Sequence, residues 1–229
     1  MKPSKYLSCS QLESFEKDYA EWKSHYIDGQ PSPTNRYMCQ GSAVHAGIEA
    51  YWRGNPEPIK AYEMYIEEHL LEIPAENLAE ILDEGFGLLT CYLTTLAPDL
   101  SPWPVEPPNH AAEWEFVVPI PGCVRPLYGK VDLLAQEGGQ PVVRDVKCAK
   151  KPWSKNKVGK SIQKVAYWYA VQQSLGLSPL RFVLDFVVKE SMEIVSIPAT
   201  VEQSEIDDLL GRFQKLDQEY LAYERGGKV

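Results

Sequence analysis

No apolar run in this 229-residue chain approaches the ~20 residues that a membrane-spanning helix requires; a representative dense stretch is FVLDFVV at 182–188. The opening MKPSKYLSCSQLESFEK lacks the apolar h-region of a secretory signal, so export is not expected. The five cysteines, at 9, 39, 91, 123 and 148, are odd in number, scattered, and without a C-x-x-C pair. That pattern speaks against a structural zinc site and for reduced thiols in a cytosol-like compartment. Internal repeats and low-complexity tracts are absent too. With 44% hydrophobic and 24% charged residues, the chain has an ordinary globular composition.

A net charge of −9 excludes a protein that coats nucleic acid over its whole surface. It leaves room for a local basic groove, because the field that matters is the one at the site. Such a groove has a candidate. From Lys147 to Lys160 the sequence reads KCAKKPWSKNKVGK, with six lysines and no acid.

Apolar spacing divides the chain into two regimes. Residues 8–28 begin with serine caps and repeat Leu12, Phe15, Tyr19, Trp22 and Tyr26 at helical intervals. Further helices are predicted over 41–53, 58–72 and 75–96. The segment 97–109, with five prolines in thirteen residues, reads as a loop. Beyond it the period falls to two. Strands are predicted at 112–119, at 127–136 and 141–147 as a hairpin around EGGQ, and at 180–188 and 192–197. Helices over 159–176 and 201–224 complete the pattern. The order implies one α/β domain over 1–229, with a helical section (1–96) against a mixed-sheet core (110–229).

The hairpin LYGKVDLLAQEGGQPVVRDVKCAKK carries charges where a buried hairpin prefers apolar side chains. Alternation places Val143, Asp145 and Lys147 on one face of the second strand, and Val142, Arg144 and Val146 on the other. Asp132 lies on the neighbouring strand. Two carboxylates and an ammonium so arranged can hold a divalent cation beside a phosphate, since Mg²⁺ takes hard oxygen ligands and shares them with substrate phosphates. An isolated D-x-K is more often a solvated strand face. The neighbours decide. Gly129 stands three residues before Asp132, His45 lies in a helix four residues after Gly41, and Gln163 and Tyr167 lie one helical turn apart.

Taken together, G-x-x-x-H, a first-strand glutamate, G-x-x-D, D-x-K and Q-x-x-x-Y occur in the order found in the RecB-type nucleases of the PD-(D/E)XK superfamily. The chain resembles that group, which includes AddAB recombination nucleases, CRISPR-adaptation exonucleases and many phage exonucleases, from Ser8 to about Gly176. The resemblance implies a restriction-endonuclease-like mixed sheet flanked by helices. It implies that His45, Asp132, Asp145 and the Val146 carbonyl bind Mg²⁺ or Mn²⁺, imidazole favouring the softer ion. Lys147 would be the catalytic lysine, with Gln163 and Tyr167 supporting the site. Glu113 is the expected first-strand glutamate, with Glu115 open as the alternative. Lys150, Lys151, Trp153, Lys155, Lys157 and Lys160, read as one loop beyond the D-x-K strand, are the expected DNA contacts: lysines for phosphates, the indole for an unpaired base.

Departures from the pattern sharpen the expectation. Many relatives hold a [4Fe–4S] cluster with a cysteine in the first helix and three near the C-terminus. Here SFEKDYAEW has no cysteine and none follows Cys148, so no cluster is expected. Without a G-x-x-x-x-G-K-[ST] loop, any unwinding falls to a helicase or recombination partner. The expected activity is metal-dependent DNA exonuclease, in recombination, repair or processing, in a bacterial or phage-infected cell. The alternatives are a catalytically inactive nuclease-fold subunit that only binds DNA, and a structure-specific endonuclease.

Overall fold

The computed structural model describes residues 5–31, 36–69, 78–106 and 109–226. Helix α1 (Cys9–Lys17) starts at a reciprocal cap: Ser8 Oγ accepts the Gln11 amide, and Gln11 Oε1 accepts the Ser8 amide. The helix expected over 8–28 breaks at Asp18. Aspartate competes for nearby amides, and its carboxylate accepts the Glu21 N–H at 3.0 Å to start α2 (Tyr19–Trp22), followed by a π-turn over Lys23–Ile27. Helix α3 (Arg36–Trp52) begins earlier than the sequence suggested. Helix α4 (Pro58–Glu68) opens with proline at its first turn, and α5 is Leu78–Cys91. Positions 70–72 and 75–77 of the predicted helices lie outside the described residues.

Six strands form one sheet: β1 (Ser101–Pro102), β2 (Ala112–Val118), β3 (Leu127–Glu137), β4 (Gln140–Ala149), β5 (Arg181–Val188) and β6 (Glu193–Ala199). Strand β1 is a short edge pairing inside the proline-rich segment expected to be loop, where proline's missing N–H costs no ladder bond. It lies with β2 along one side of β3, and β4, β5 and β6 follow on the other. Among the strand pairs of the described residues, β4–β5 is parallel and the others are antiparallel. The β3–β4 turn is Gly138–Gly139 with φ of +57° and +77°, a two-residue turn that favours glycine at both positions. The crossover from β4 to β5 is two helices, α6 (Lys155–Gly159) and α7 (Ile162–Leu175), rather than one over 159–176. Ser154 and Ser161 cap them separately.

The helices cover both faces of the sheet. On one face, α1, α7 and α8 (Gln203–Glu224) enclose Val131, Leu134, Val143, Leu184 and Phe186. On the other, α3, α4 and α5 pack over Val146 and Val187. Helix α7 is buried without a break from Lys164 to Val171, as befits a helix wedged between a sheet and other helices.

Alternation fails at one row, and that row matters. Val131 and Leu134, three residues apart, enter the same core, whereas Ala112 and Trp114, two apart, enter different ones. Both strands therefore switch faces at Glu113 and Asp132. Glu113 sits at φ +50°, a left-handed conformation uncommon for any residue with a side chain. The β3–β4 ladder runs from Glu137↔Gln140 to Leu133↔Arg144 and stops there. Past that point the strands diverge, and the residues before α1 take the vacated edge of β3. Leu7 N–H donates to the Pro126 carbonyl at 2.9 Å, and the Leu7 carbonyl accepts the Tyr128 N–H at 2.8 Å.

Candidate active site

At the fork the backbone turns its side chains toward one another. Glu113 and Asp132 come from the irregular row, His45 from α3, and one ligand atom of each lies within 4.8 Å of the other two. His45 Nδ1 stands 3.6 Å from Asp132 Oδ1. The other oxygen of Asp132 accepts the Val146 N–H at 2.6 Å, replacing the ladder bond that the splayed strands have lost. Burial pushes the Glu113 carboxyl up, and the neighbouring Asp132 and Glu49 carboxylates push it further. Acids crowded in this way repel, and a cation between them removes the repulsion.

Asp145 stands just outside that trio but close enough to feel the charge of Asp132 and His45. Its side chain is 1% exposed, and apart from Lys147 neither oxygen has a polar partner among the described residues. The Lys147 ammonium pairs with Oδ2 at 2.7 Å. Burial pushes the Asp145 carboxyl up to about 6 against the pull of Lys147. Burial alone lowers Lys147, but the Asp145 and Asp132 charges outweigh it and hold the ammonium protonated.

Gln163 Nε2 donates to the Tyr167 hydroxyl at 3.2 Å, one turn along α7. Burial and then the Asp145 charge push that hydroxyl well above the usual phenol range. The Tyr167 ring meets Phe116 edge-on, centroids 5.8 Å apart at 76°. Phe116 pairs across the ladder with Gly129, where a Cβ would fall 2.5 Å from Phe116 Cζ. The glycine of G-x-x-D thus seats Phe116, and Phe116 flanks Tyr167.

Of the two first-strand glutamates, Glu113 joins the cluster. Glu115 faces outward and pairs with Lys130 at 3.2 Å. The lysine run does not form one loop. Lys155 and Lys157 belong to α6. Lys150 opens into a cleft of about 530 Å³ shared with Tyr37, Cys148 and Lys189, while Lys160 lines another of about 360 Å³ against α8. Trp153 is half-buried, tilted against Phe186, with the Lys157 ammonium 3.8 Å from its ring centre. That placement ties the segment to the core. The sequence reading passed over Glu49, Lys130 and the Leu7 segment. Spacing offered a signal for two of them: Glu49 is one helical turn after His45, and Lys130 alternates with Asp132.

A profile of the PD-(D/E)XK nuclease superfamily matches residues 6–224. The chain belongs to that superfamily. Its mixed sheet with helices on both faces is the restriction-endonuclease-like fold of these nucleases. A provisionally named exonuclease from Eubacterium rectale superposes with a TM-score of 0.67 at 13% identity, over 98% of this chain and 83% of that one. That likeness concerns the fold alone. The protein SSO0001 gives a TM-score of 0.31 at 11% identity, over 90% of this chain and 84% of that one, too slight to bear on it. No curated protein matches the chain. Nucleases of the superfamily use divalent metals, and the residues here fit one: two carboxylates and an imidazole converge, and a third carboxylate is buried with one oxygen unpartnered. Among the described residues, no helix is long and apolar enough to cross a membrane.

Proposed function

We propose that the chain is a Mg²⁺- or Mn²⁺-dependent deoxyribonuclease of RecB type, hydrolysing phosphodiesters from DNA ends as one nuclease domain. The observation that carries this reading is the Asp145 carboxylate, buried against Lys147 with its other oxygen unpartnered, at the edge of the His45, Glu113 and Asp132 cluster. A buried carboxylate with an open oxygen is costly to keep, so its retention points to a ligand. His45, Glu113, Asp132 and Asp145 would hold the cation, and the Val146 peptide holds Asp132 in place. A bound cation supplies charge neutralisation at the phosphate and a lowered pKa for an attacking water. Lys147, held protonated, donates to a non-bridging phosphate oxygen and steadies the charge that grows there. Tyr167 and Gln163 close the floor of the site. Mn²⁺ is favoured by the imidazole, and strand separation would come from a partner.

A subunit that only binds DNA gains nothing from directing carboxylates at phosphates, which disfavours the inactive reading. End-labelled single- and double-stranded DNA, incubated with Mg²⁺ or Mn²⁺, tests the proposal. Wild type should cleave, and Asp145→Ala and Lys147→Ala should not. No cleavage with either ion would overturn the enzymatic reading, and cleavage surviving both substitutions would move the site elsewhere. A circular single strand decides between exonuclease, which leaves it intact, and endonuclease.

A further inference from the structure

Outward from the cluster, one face of the β2–β3 ladder stays in solvent. Its rows follow from the register: Glu113 beside Asp132, then Glu115 paired with Lys130, then Val117 paired with Tyr128. Val117 is 54% exposed, and Lys130 reaches Glu115 at 3.2 Å and Glu113 at 3.9 Å. Tyr6, 40% exposed, lies against Tyr128 in a tilted pair, ring centroids 5.5 Å apart and planes at 34°. Four residues of extended strand separate Tyr128 from Asp132, about 13 Å. Fixing the Leu7 segment to β3 does not need this pair, since Leu7 is fully buried and bonded on both sides. A cation followed by a part-exposed aromatic pair, in line with a phosphodiester site, has the composition of a single-strand track.

We propose that Tyr6 and Tyr128 form a stacking platform for bases of an unpaired DNA strand whose scissile phosphate lies at the cluster. Lys130 meets the intervening phosphate. This assignment rests on the nuclease reading for what lies at the cluster. It names the substrate class: a strand with free base faces. Bases inside a duplex have both faces occupied by their neighbours and cannot use the platform. Glu115 opposes the phosphate and holds Lys130 when no strand is bound.

Binding of a fluorescent single-stranded oligonucleotide with phosphorothioate links, in Ca²⁺ so that it stays intact, tests the platform. An abasic nucleotide is moved along the strand one position at a time. Wild type should lose about tenfold in affinity when the gap falls at one or two fixed positions, the scale of one lost base–aromatic stack. Tyr6→Ala should bind the intact strand about tenfold more weakly and become insensitive to that gap. Tyr6→Phe should match wild type, Glu115→Gln should bind more tightly, and a duplex of the same sequence should not respond to Tyr6→Ala. The proposal is overturned if wild type does not bind, or if no gap position stands out. Equal weakening on duplex and single strand by Tyr6→Ala, or undiminished gap sensitivity in that variant, also overturns it. Because the strand is not cut in this assay, its result is separate from the cleavage test. An inactive protein with Tyr6-dependent binding would refute the nuclease, and an active one with Tyr6-independent binding would refute the platform.

Discussion

Asp145 and Asp185 lie on adjacent parallel strands, one position apart in register, and both are buried. Their surroundings differ completely. Asp185 accepts two hydrogen bonds from Arg144, each 2.8 Å, and a third from Ser196 at 2.5 Å. Asp145 has the Lys147 ammonium 2.7 Å from one oxygen and no partner on the other. The first arrangement is complete within the protein, and the second is complete only with something added. Burial of a carboxylate therefore does not mark a site; burial without satisfied lone pairs does.

Removing the Asp145 charge separates activity from stability most sharply. Asp145→Asn should lower cleavage by at least about 10³-fold, while the melting temperature falls far less than when Arg144 is taken from Asp185, because Lys147 is 30% exposed and keeps the Asp132 charge nearby. Matched gel assays and thermal melts would show it, and a variant that loses both together would erase the contrast. Arg144→Met does the reverse, leaving the buried Asp185 with the Ser196 hydroxyl but no cation, at a cost of about 3–5 kcal/mol. Calorimetry should find a drop on the order of 10 °C, and Arg144→Met with Asp185→Leu should recover most of it. Were the double variant as unstable as the single one, the pair would not be the self-contained unit it looks like.

A smaller effect tests how the site is seated. Gly129→Ala sets a methyl against Phe116 and should cost about 1–3 kcal/mol, with cleavage reduced because Phe116 flanks Tyr167. Unchanged stability and rate would mean that Phe116 has room to move. Smallest of all is the contrast between the two strand glutamates. Glu113→Gln should weaken cation binding by about tenfold or more, and Glu115→Gln should leave it unchanged, as direct titration would reveal.

The order of motifs named residues that the fold brings near one another: His45, Glu113 and Asp132 converge, and Asp145 with Lys147 lies beside them. Alternation in β4 placed Asp145 and Lys147 correctly on one face. It could not say which of Glu113 and Glu115 turns inward, because the choice depends on a switch of faces shared by two strands that pair only in the folded chain. Nor could it separate the lysines. Ser154 and Ser161 cap two helices where one was expected, and Lys160, between them, lines a different cleft from Lys150. The interruption at Asp18 had a local signal in the aspartate itself, overridden in the sequence reading by the aromatic spacing around it. The Leu7 segment, filling the gap between β3 and β4, had none.

The central claim is that the fork between β3 and β4 is completed by a cation, and calorimetric titration of Mn²⁺ into the protein tests it most directly. Saturable binding by wild type, weakened by at least about tenfold in Asp132→Asn and unaltered in Asp185→Asn at a temperature where that variant is folded, is the predicted result. Wild-type protein that shows no saturable binding, or Asp132→Asn that binds as tightly as wild type, would contradict it.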